Sequence, residues 1–217
     1  MLMSWGDIPS WANNTALALM QTLSYVDPVT YEHCCRVAAL SRKLAQSAGL
    51  NEYEQTVAEF SGLFHDLGKI GISNEIIAKP GKLDPKEIDI MRNHPIISES
   101  ILKPLAEKDS FFRQLLAPVR GHHERVDGEG YPDRLVSDKI NLLSRMILIV
   151  DTYDAMSQTR SYRKGLPNEV VYAELKRCSG TQFDSQLVKT FLDSHKFFGQ
   201  NKDNNETSIV EYLKRAA

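Results

Sequence analysis

The sequence has few cysteines and no long hydrophobic run, and each shortage excludes a class of protein. Its three cysteines, Cys34, Cys35 and Cys178, give no disulfide framework, because two are adjacent and the third is left over. We therefore expect small buried thiols in a reducing compartment. The apolar run 146–150 is far too short to span a bilayer, and residues 1–11 lack the features of a secretory signal. A cytoplasmic protein is predicted.

Excess charge is also nearly absent. A formal net charge of −2 gives no reason to expect binding to a nucleic acid polymer or to a membrane. Any anionic ligand would have to be held by a local basic cluster or by metal. The 217 residues suffice for one sizeable domain with a single core. We expect a helical extension over residues 1–26, the main domain over 27–198, and a linker with a short C-terminal helix over 199–217.

What the sequence does contain is apolar residues at helical spacing almost throughout, without convincing strand-like alternation. The fold class predicted is therefore all-α. Asp84-Pro85-Lys86-Glu87 is typical of a helix start, and Pro95 predicts a break or bend at His94. The polar, glycine-rich stretch 124–138 is predicted to be a long loop. Further helices are predicted to end near residue 27 and to cover about 30–48, 52–66, 111–123, 141–156, 168–177, 185–197 and 207–214.

Six histidines are the main chemical feature of the sequence: His33, His65, His94, His122, His123 and His195. Taken singly, each is more often a core or surface residue than a ligand. Two of them begin titratable pairs, His65-Asp66 and His122-His123. Adjacent helical residues diverge by about 100°, so each pair can converge only on something lying between its two directions.

A carboxylate follows the most apolar stretch of the chain. Asp151 comes directly after Val150, and a carboxylate buried there is costly unless it is paired or bound to metal. Asp154 lies one turn beyond Val150 and competes for this role. Imidazoles and carboxylates without thiolate spacing favour Fe, Mn, Zn or Ni. A carboxylate can also bridge two metal ions about 3.5–4 Å apart, a pair suited to phosphoryl transfer.

His33, His65-Asp66 and Asp151 stand in the H…HD…D order of the HD metal-dependent phosphohydrolase superfamily. Within it the chain resembles the HD-GYP subfamily, the cyclic di-GMP phosphodiesterases, over about residues 27–191. The resemblance implies an HD-domain helical bundle with extra C-terminal helices and a GYP loop. The matching segments, in the family's order, are HDLGKIGI (65–72), KPGKL (79–83), MRNHP (91–95), HHERVDGEGYP (122–132), DTYDAM (151–156), RSYR (160–163) and GTQFD (180–184).

The resemblance also implies a site with two divalent metal ions, for which iron is the preferred metal and manganese the alternative. One metal is assigned to His33, His65, Asp66 and Asp151, which favours Asp151 over Asp154. The other is assigned to His94, His122 and His123, with Asp66 bridging the two metals. His195 is left over and is predicted to be a surface residue.

Substrate contacts are implied in the same way, by Lys69, Tyr131, Arg160 and Arg163. Lys69 matches the family lysine that faces the scissile phosphate, so Asp66 and Lys69 are the catalytic residues predicted. Val29 stands where members with a third metal carry glutamate, one helical turn before His33. Two metals, not three, are therefore expected.

The function implied is hydrolysis of cyclic di-GMP to pGpG, and further to GMP if a second cut follows, by a hydroxide that bridges the metals. Two alternatives stay open: a phosphodiesterase for another cyclic dinucleotide such as 3′,3′-cGAMP, and a receptor that binds cyclic di-GMP without hydrolysing it. Family members can pair with diguanylate cyclases of the GGDEF type, which makes such a protein a candidate partner.

Overall fold

A computed structural model describes residues 8–159, 164–198 and 208–216. These residues form eleven α-helices and no strand, apart from one isolated bridge between Ser179 and Phe183. The all-α prediction is confirmed. The helices are α1 Ala12–Val26, α2 Pro28–Ser47, α3 Glu52–Phe64, α4 Asn74–Ile77, α5 Pro85–Met91, α6 His94–Ala106, α7 Ser110–Arg120, α8 Leu142–Ser157, α9 Asn168–Arg177, α10 Ser185–Ser194 and α11 Ile209–Ala216.

Local sequence signals explain where these helices begin. The Asp84 side chain accepts a hydrogen bond from the Glu87 N–H, the Glu87 side chain accepts one from the Asp84 N–H, and Pro85 occupies the first turn. Asn51 and Glu54 form the same reciprocal cap at the start of α3. The predicted break is present: α5 ends at Met91 and α6 begins at His94.

The hydrophobic core has two parts, and α2 packs against both. Large aromatic side chains of α3 and α7 fill the first part, where Phe60 and Phe111 meet edge to face at 5.0 Å between ring centroids. Buried side chains of α8, α9 and α10 fill the second, including Ile147, Val171 and Phe191. The apolar faces of α1 and α11 cover the first part, so both terminal helices share this core.

The prediction for His195 is wrong, because this residue is half-buried rather than on the surface. Its ring packs 4.3 Å from that of Tyr153 and 4.8 Å from that of Phe191, and its Nδ1 atom hydrogen-bonds the Tyr172 hydroxyl at 2.7 Å. Burial, followed by the charge of Lys43, lowers the pKa of His195. A half-polar ring fits the edge of an aromatic cluster, so His195 has a packing role.

Two further predictions concern the membrane and the cysteines. No helix among the described residues has the length and apolar character needed to cross a membrane. Cys34 and Cys178 are buried, Cys35 is partly buried, and all three are free thiols. The proposed boundaries at residues 26 and 198 stay predictions, and most of the predicted linker lies outside the described residues.

Candidate metal centre

His65 and Asp66 lie at the end of α3 and not within it. The helix stops at Phe64, His65 caps it, and Asp66 precedes a 3-10 helix at Leu67–Gly71. The prediction that α3 continues to residue 66 is therefore corrected, although the His65 backbone itself keeps helical angles of φ −54° and ψ −41°. His65 Nε2 lies 3.4 Å from Asp66 Oδ2, so both side chains face the same cavity.

The turn that carries His65 and Asp66 is held tightly against α6. The Gly68 N–H donates to Ser98 Oγ at 2.7 Å, and that hydroxyl donates to the His65 carbonyl at 2.9 Å. A Cβ atom on Gly68 would lie only 2.1 Å from the His94 carbonyl oxygen. Because only glycine permits this approach, α6 brings His94 next to Asp66, with 3.1 Å between His94 Nε2 and Asp66 Oδ1.

His122 and His123 reach the cavity from the end of α7. The helix ends at Arg120 and Gly121 caps it, so this pair also lies in a turn rather than in the helix predicted there. The two rings lie 4.2 Å apart between centroids, and His122 Nε2 is 3.1 Å from His94 Nε2. Three histidines from two elements therefore converge beside Asp66.

Backbone carbonyls fix the orientation of three of these rings. The Nδ1 atoms of His65, His94 and His122 each lie 2.7 Å from the carbonyl oxygen three residues earlier. A carbonyl can only accept, so each Nδ1 donates and each Nε2 presents a lone pair to the cavity. Hydrogen bonds of this kind orient histidines that bind metals.

His33 and Asp151 complete the cavity from α2 and α8. His33 Nε2 lies 3.0 Å from Asp151 Oδ1 and 3.7 Å from Asp66 Oδ2. His33 Nδ1 points away and donates to Asp154 Oδ2 at 2.7 Å. Asp151 therefore faces the cavity and Asp154 supports His33 from behind, a division that the residues alone left open.

The electrostatics keep the carboxylates ionised and two of the imidazoles neutral. Burial opposes ionisation of Asp66, but the charge of Lys69, followed by the contact with His65, brings its pKa well below the ordinary range. Burial likewise opposes ionisation of Asp151, and its contact with His33 lowers the pKa. Burial and neighbouring histidines lower the pKa of His122 strongly and that of His123 to about 3. Charged carboxylates and neutral imidazoles are the forms that bind cations.

The donors fit a metal centre by chemistry as well as by position. His65 Nε2 is fully buried and makes no hydrogen bond with the described residues, although buried polar atoms are nearly always paired. Two groups have their ligand atoms within 4.8 Å of one another: His33, His65 and Asp66, and His94, His122 and His123. Nitrogen and carboxylate donors without thiolate suit Fe, Mn or Zn.

Lys69 and Tyr131 border the same cavity. Lys69 Nζ lies 2.6 Å from Asp66 Oδ2; burial lowers the lysine pKa, but the Asp66 charge outweighs burial and raises it. The Tyr131 ring stacks on His123 at 4.6 Å, and the Arg92 guanidinium lies 5.6 Å from the centre of the Tyr131 ring on the solvent side. Arg160 and Arg163, the other predicted substrate contacts, lie outside the described residues.

Three supporting residues were not predicted from the sequence. Buried Glu124 accepts the N–H groups of Asp133 at 2.6 Å and Leu135 at 2.9 Å, and so holds the loop that carries Tyr131. Ser98 couples the turn after α3 to α6, and Arg36 contacts Asp154. Of these three residues, only Arg36 could have been suspected from the sequence, because it lies about one helical turn after His33 on the same predicted helix.

Comparisons with known proteins give a consistent picture. A family model described as HD domain matches residues 18–187. A cyclic di-GMP phosphodiesterase of Thermotoga maritima is 36% identical over 182 residues, which cover 83% of this chain and 49% of that protein. The 3'3'-cGAMP-specific phosphodiesterase 3 of Vibrio cholerae is 34% identical over 159 residues, which cover 73% of this chain and 34% of that protein.

A solved structure extends the likeness to the fold. An HDG"Y"P protein from Bdellovibrio bacteriovorus matches with a TM-score of 0.63 at 16% identity, covering 86% of this chain and 63% of that chain. The chain spans about half the length of the first two curated relatives, 49% and 50%.

Proposed function

The chain belongs to the HD domain family and to its HD-GYP subfamily, and from that premise we propose that it is a metal-dependent phosphodiesterase that hydrolyses cyclic di-GMP. The observation that carries the proposal is the buried cluster of five imidazoles and two carboxylates, in which His65 Nε2 makes no hydrogen bond with the described residues. The Thermotoga maritima relative, named a cyclic di-GMP phosphodiesterase, supports the choice of substrate.

We propose two divalent metal ions in this cavity, with iron as the preferred metal at both positions and manganese as the alternative. His33, His65, Asp66 and Asp151 would hold one ion. The other would be held by His94, His122 and His123, with Asp66 shared between the two. When bound, such a pair supplies Lewis acidity and a nucleophile derived from water.

The number of metals rests on the surroundings of His33. The Glu32 side chain is 72% exposed and lies 3.9 Å from Arg36, directed away from the cavity. Asp27 caps α2 by accepting the Thr30 N–H at 3.1 Å. Val29 has no donor atom. None of the three nearby positions therefore offers a ligand for a third cation.

In the proposed reaction, water adds to one phosphorus of the cyclic dinucleotide and the bond from phosphorus to the 3′ oxygen breaks. The 3′ oxygen leaves and takes up a proton, which gives linear pGpG. Lys69 stays protonated beside Asp66, so its ammonium can neutralise charge that develops on the phosphoryl oxygens. Asp66 and Asp151 stay ionised and would supply the negative charge that holds the cations. Tyr131 would border the bound nucleotide, together with Arg160 and Arg163.

Product analysis tests the proposal directly. Protein loaded anaerobically with Fe(II) or Mn(II) is expected to bind two equivalents of metal and to convert cyclic di-GMP to pGpG. Three equivalents would show that a third ligand set exists. Asp151→Asn should lose metal and activity, whereas Asp193→Asn, on the exposed face of α10, should keep both. Tight binding without product would favour a receptor instead.

A second substrate has a specific observation in its favour, because the Vibrio cholerae relative is named 3'3'-cGAMP-specific. Parallel assays with 3′,3′-cGAMP and cyclic di-GMP at equal concentration separate the two. Faster turnover of 3′,3′-cGAMP would reassign the substrate and leave the metal chemistry unchanged.

The proposal also covers the location of the protein and a protein partner. The cytoplasm is the proposed location, in keeping with the free, buried thiols of Cys34 and Cys178. A GGDEF-type diguanylate cyclase is the proposed protein partner, on the family resemblance alone. Co-purification of such a cyclase with the tagged chain tests this partner.

A further inference from the structure

His33 is supported differently from three of the other histidines of the centre. His65, His94 and His122 donate their Nδ1–H groups to backbone carbonyls of their own turns. His33 Nδ1 instead donates to a carboxylate 121 positions away in the sequence, Asp154 Oδ2, at 2.7 Å. The orientation of the His33 ring therefore depends on a side chain that can be changed without altering the backbone.

Asp154 is itself held in place. Its residue is 1% exposed. Arg36 donates Nε to Asp154 Oδ1 at 2.7 Å and Nη2 to Oδ2 at 3.0 Å, the paired geometry that fixes a carboxylate plane. Arg36 remains 36% exposed at its side chain, so the pair closes the outer side of the centre.

The two helices repeat the same arrangement one turn apart. His33 on α2 faces Asp151 on α8 at 3.0 Å, and one turn later Arg36 faces Asp154 at 2.7 Å. The first contact lies in the cavity and the second lies behind it. Because Asp154 touches both His33 and Arg36, it links the outer ion pair to the ring that faces the cavity.

We propose that Asp154, held by Arg36, is a positioning residue that orients His33 and so sets the affinity of one metal of the pair, the metal that His33 binds. Asp154 does not coordinate a metal in this assignment. The metal held by His94, His122 and His123 is independent of it, because no contact of Asp154 reaches those three among the described residues. The inference rests on the proposed dinuclear centre.

Metal titration of Asp154→Asn tests the inference. We expect the variant to bind one of its two Mn(II) ions on the order of 10–100 times more weakly, as is typical when the outer partner of a ligating histidine is changed. At two equivalents of Mn(II) per chain, the electron paramagnetic resonance spectrum should be that of a coupled pair in the wild type and mainly that of single ions in the variant. Unchanged affinity for both ions would overturn the inference.

A matched control separates positioning from general stability. Arg145 on α8 forms a second pair at 2.6 Å with Asp184, which also caps α10. Asp184→Asn is therefore expected to lower the melting temperature of the metal-free protein while both metal affinities stay at wild-type values. If Asp184→Asn weakens one metal as much as Asp154→Asn does, the effect is one of stability and the proposal fails.

Two further results keep the test decisive. If Asp154→Asn does not fold, Arg36→Gln replaces it, because that side chain is partly exposed; a smaller weakening of the same single metal is expected, and none would overturn the inference. Wild-type protein that binds no metal would instead remove the proposed function itself. Wild-type protein with two metals and an unaffected Asp154 variant would remove only the positioning role.

Discussion

Replacing Gly68 with alanine should separate the two halves of the proposed metal centre without changing any ligand side chain. A Cβ atom at this position would lie 2.1 Å from the His94 carbonyl oxygen and 2.5 Å from the Ser98 nitrogen. Ordinary contacts between carbon and another heavy atom begin at about 3.5 Å. Both obstacles are backbone atoms, so no rotamer change can relieve the clash, and α6 must move away by about 1 Å.

The expected effect follows from that displacement. His94 sits at the start of α6, and its Nε2 lies only 3.1 Å from Asp66 Oδ1, so the shift acts directly on the distance between the two metal groups. A misplacement of about 1 Å can cost about 10²-fold in rate. Overpacking of this kind typically costs about 1–3 kcal/mol. For a protein of this size, each kcal/mol lowers the melting temperature by roughly 2–4 °C.

Gly71 provides the control within the same 3-10 helix. A Cβ atom there would meet only the Ile97 side chain, at 3.2 and 3.3 Å, and that side chain can turn aside. Calorimetry, metal analysis and turnover should therefore distinguish Gly68→Ala from Gly71→Ala. If Gly68→Ala binds two metals and turns over substrate like the Gly71 variant, the close approach of α6 does not set the geometry of the centre.

Three other predictions concern charge in the cavity. Asp66→Asn should abolish hydrolysis and release at least one metal, because a neutral amide cannot hold two cations together; near-normal turnover would contradict a bridging role. Lys69→Ala should keep both metals, since the lysine contacts Asp66 and not the histidines, and should lower the rate on the order of 10²–10³-fold, as single-turnover assays with metal analysis can check. In the metal-free protein, burial lowers the pKa of His33 but Asp151 and Asp154 raise it to about 9, so this contribution to stability is complete below the ordinary pKa of about 6.5 and is lost as the pH rises through 9. Metal uptake below pH 9 should accordingly release a proton from His33, because the metal replaces that proton on the ring. Calorimetry in buffers of different ionisation enthalpy measures the number of protons released, and a value of zero would contradict the assignment.

The helices could be predicted because their signals are local. Apolar spacing, the Asp84 cap and Pro95 each act within one or two turns, and the structure follows them closely. The errors fall at the C-terminal ends of α3 and α7, where prediction continued the helix through His65 and His122. Both helices stop just before the pairs His65-Asp66 and His122-His123, and tertiary contacts such as that between Gly68 and Ser98 decide those ends.

The motifs predicted the candidate metal-binding residues, because histidine and aspartate side chains are recognisable in the sequence as metal-binding types. Five histidines and Asp66 converge as the resemblance implied. The residues that orient them could not be found in the same way, because their partners are distant in sequence. Ser98 lies 33 positions from His65, and Asp154 lies 121 positions from His33. A serine or an aspartate on a helix can form many different contacts. The packing of α2, α6 and α8 determines that Ser98 contacts the His65 backbone and that Asp154 contacts the His33 ring.

The helix ends themselves explain how one small cavity can hold so many donors. Adjacent helical residues point about 100° apart, so a pair can line one cavity only when the cavity lies between the two directions. At both helix ends the cavity occupies that place, with His65 Nε2 3.4 Å from Asp66 Oδ2 and the ring centroids of His122 and His123 4.2 Å apart. The last carbonyls of a helix also lack partners within the helix, so they are free to accept the Nδ1–H groups of His65 and His122. The same chain termination therefore places adjacent metal-binding side chains beside the cavity, orients the His65 and His122 rings and gives two backbone carbonyls a hydrogen-bond partner.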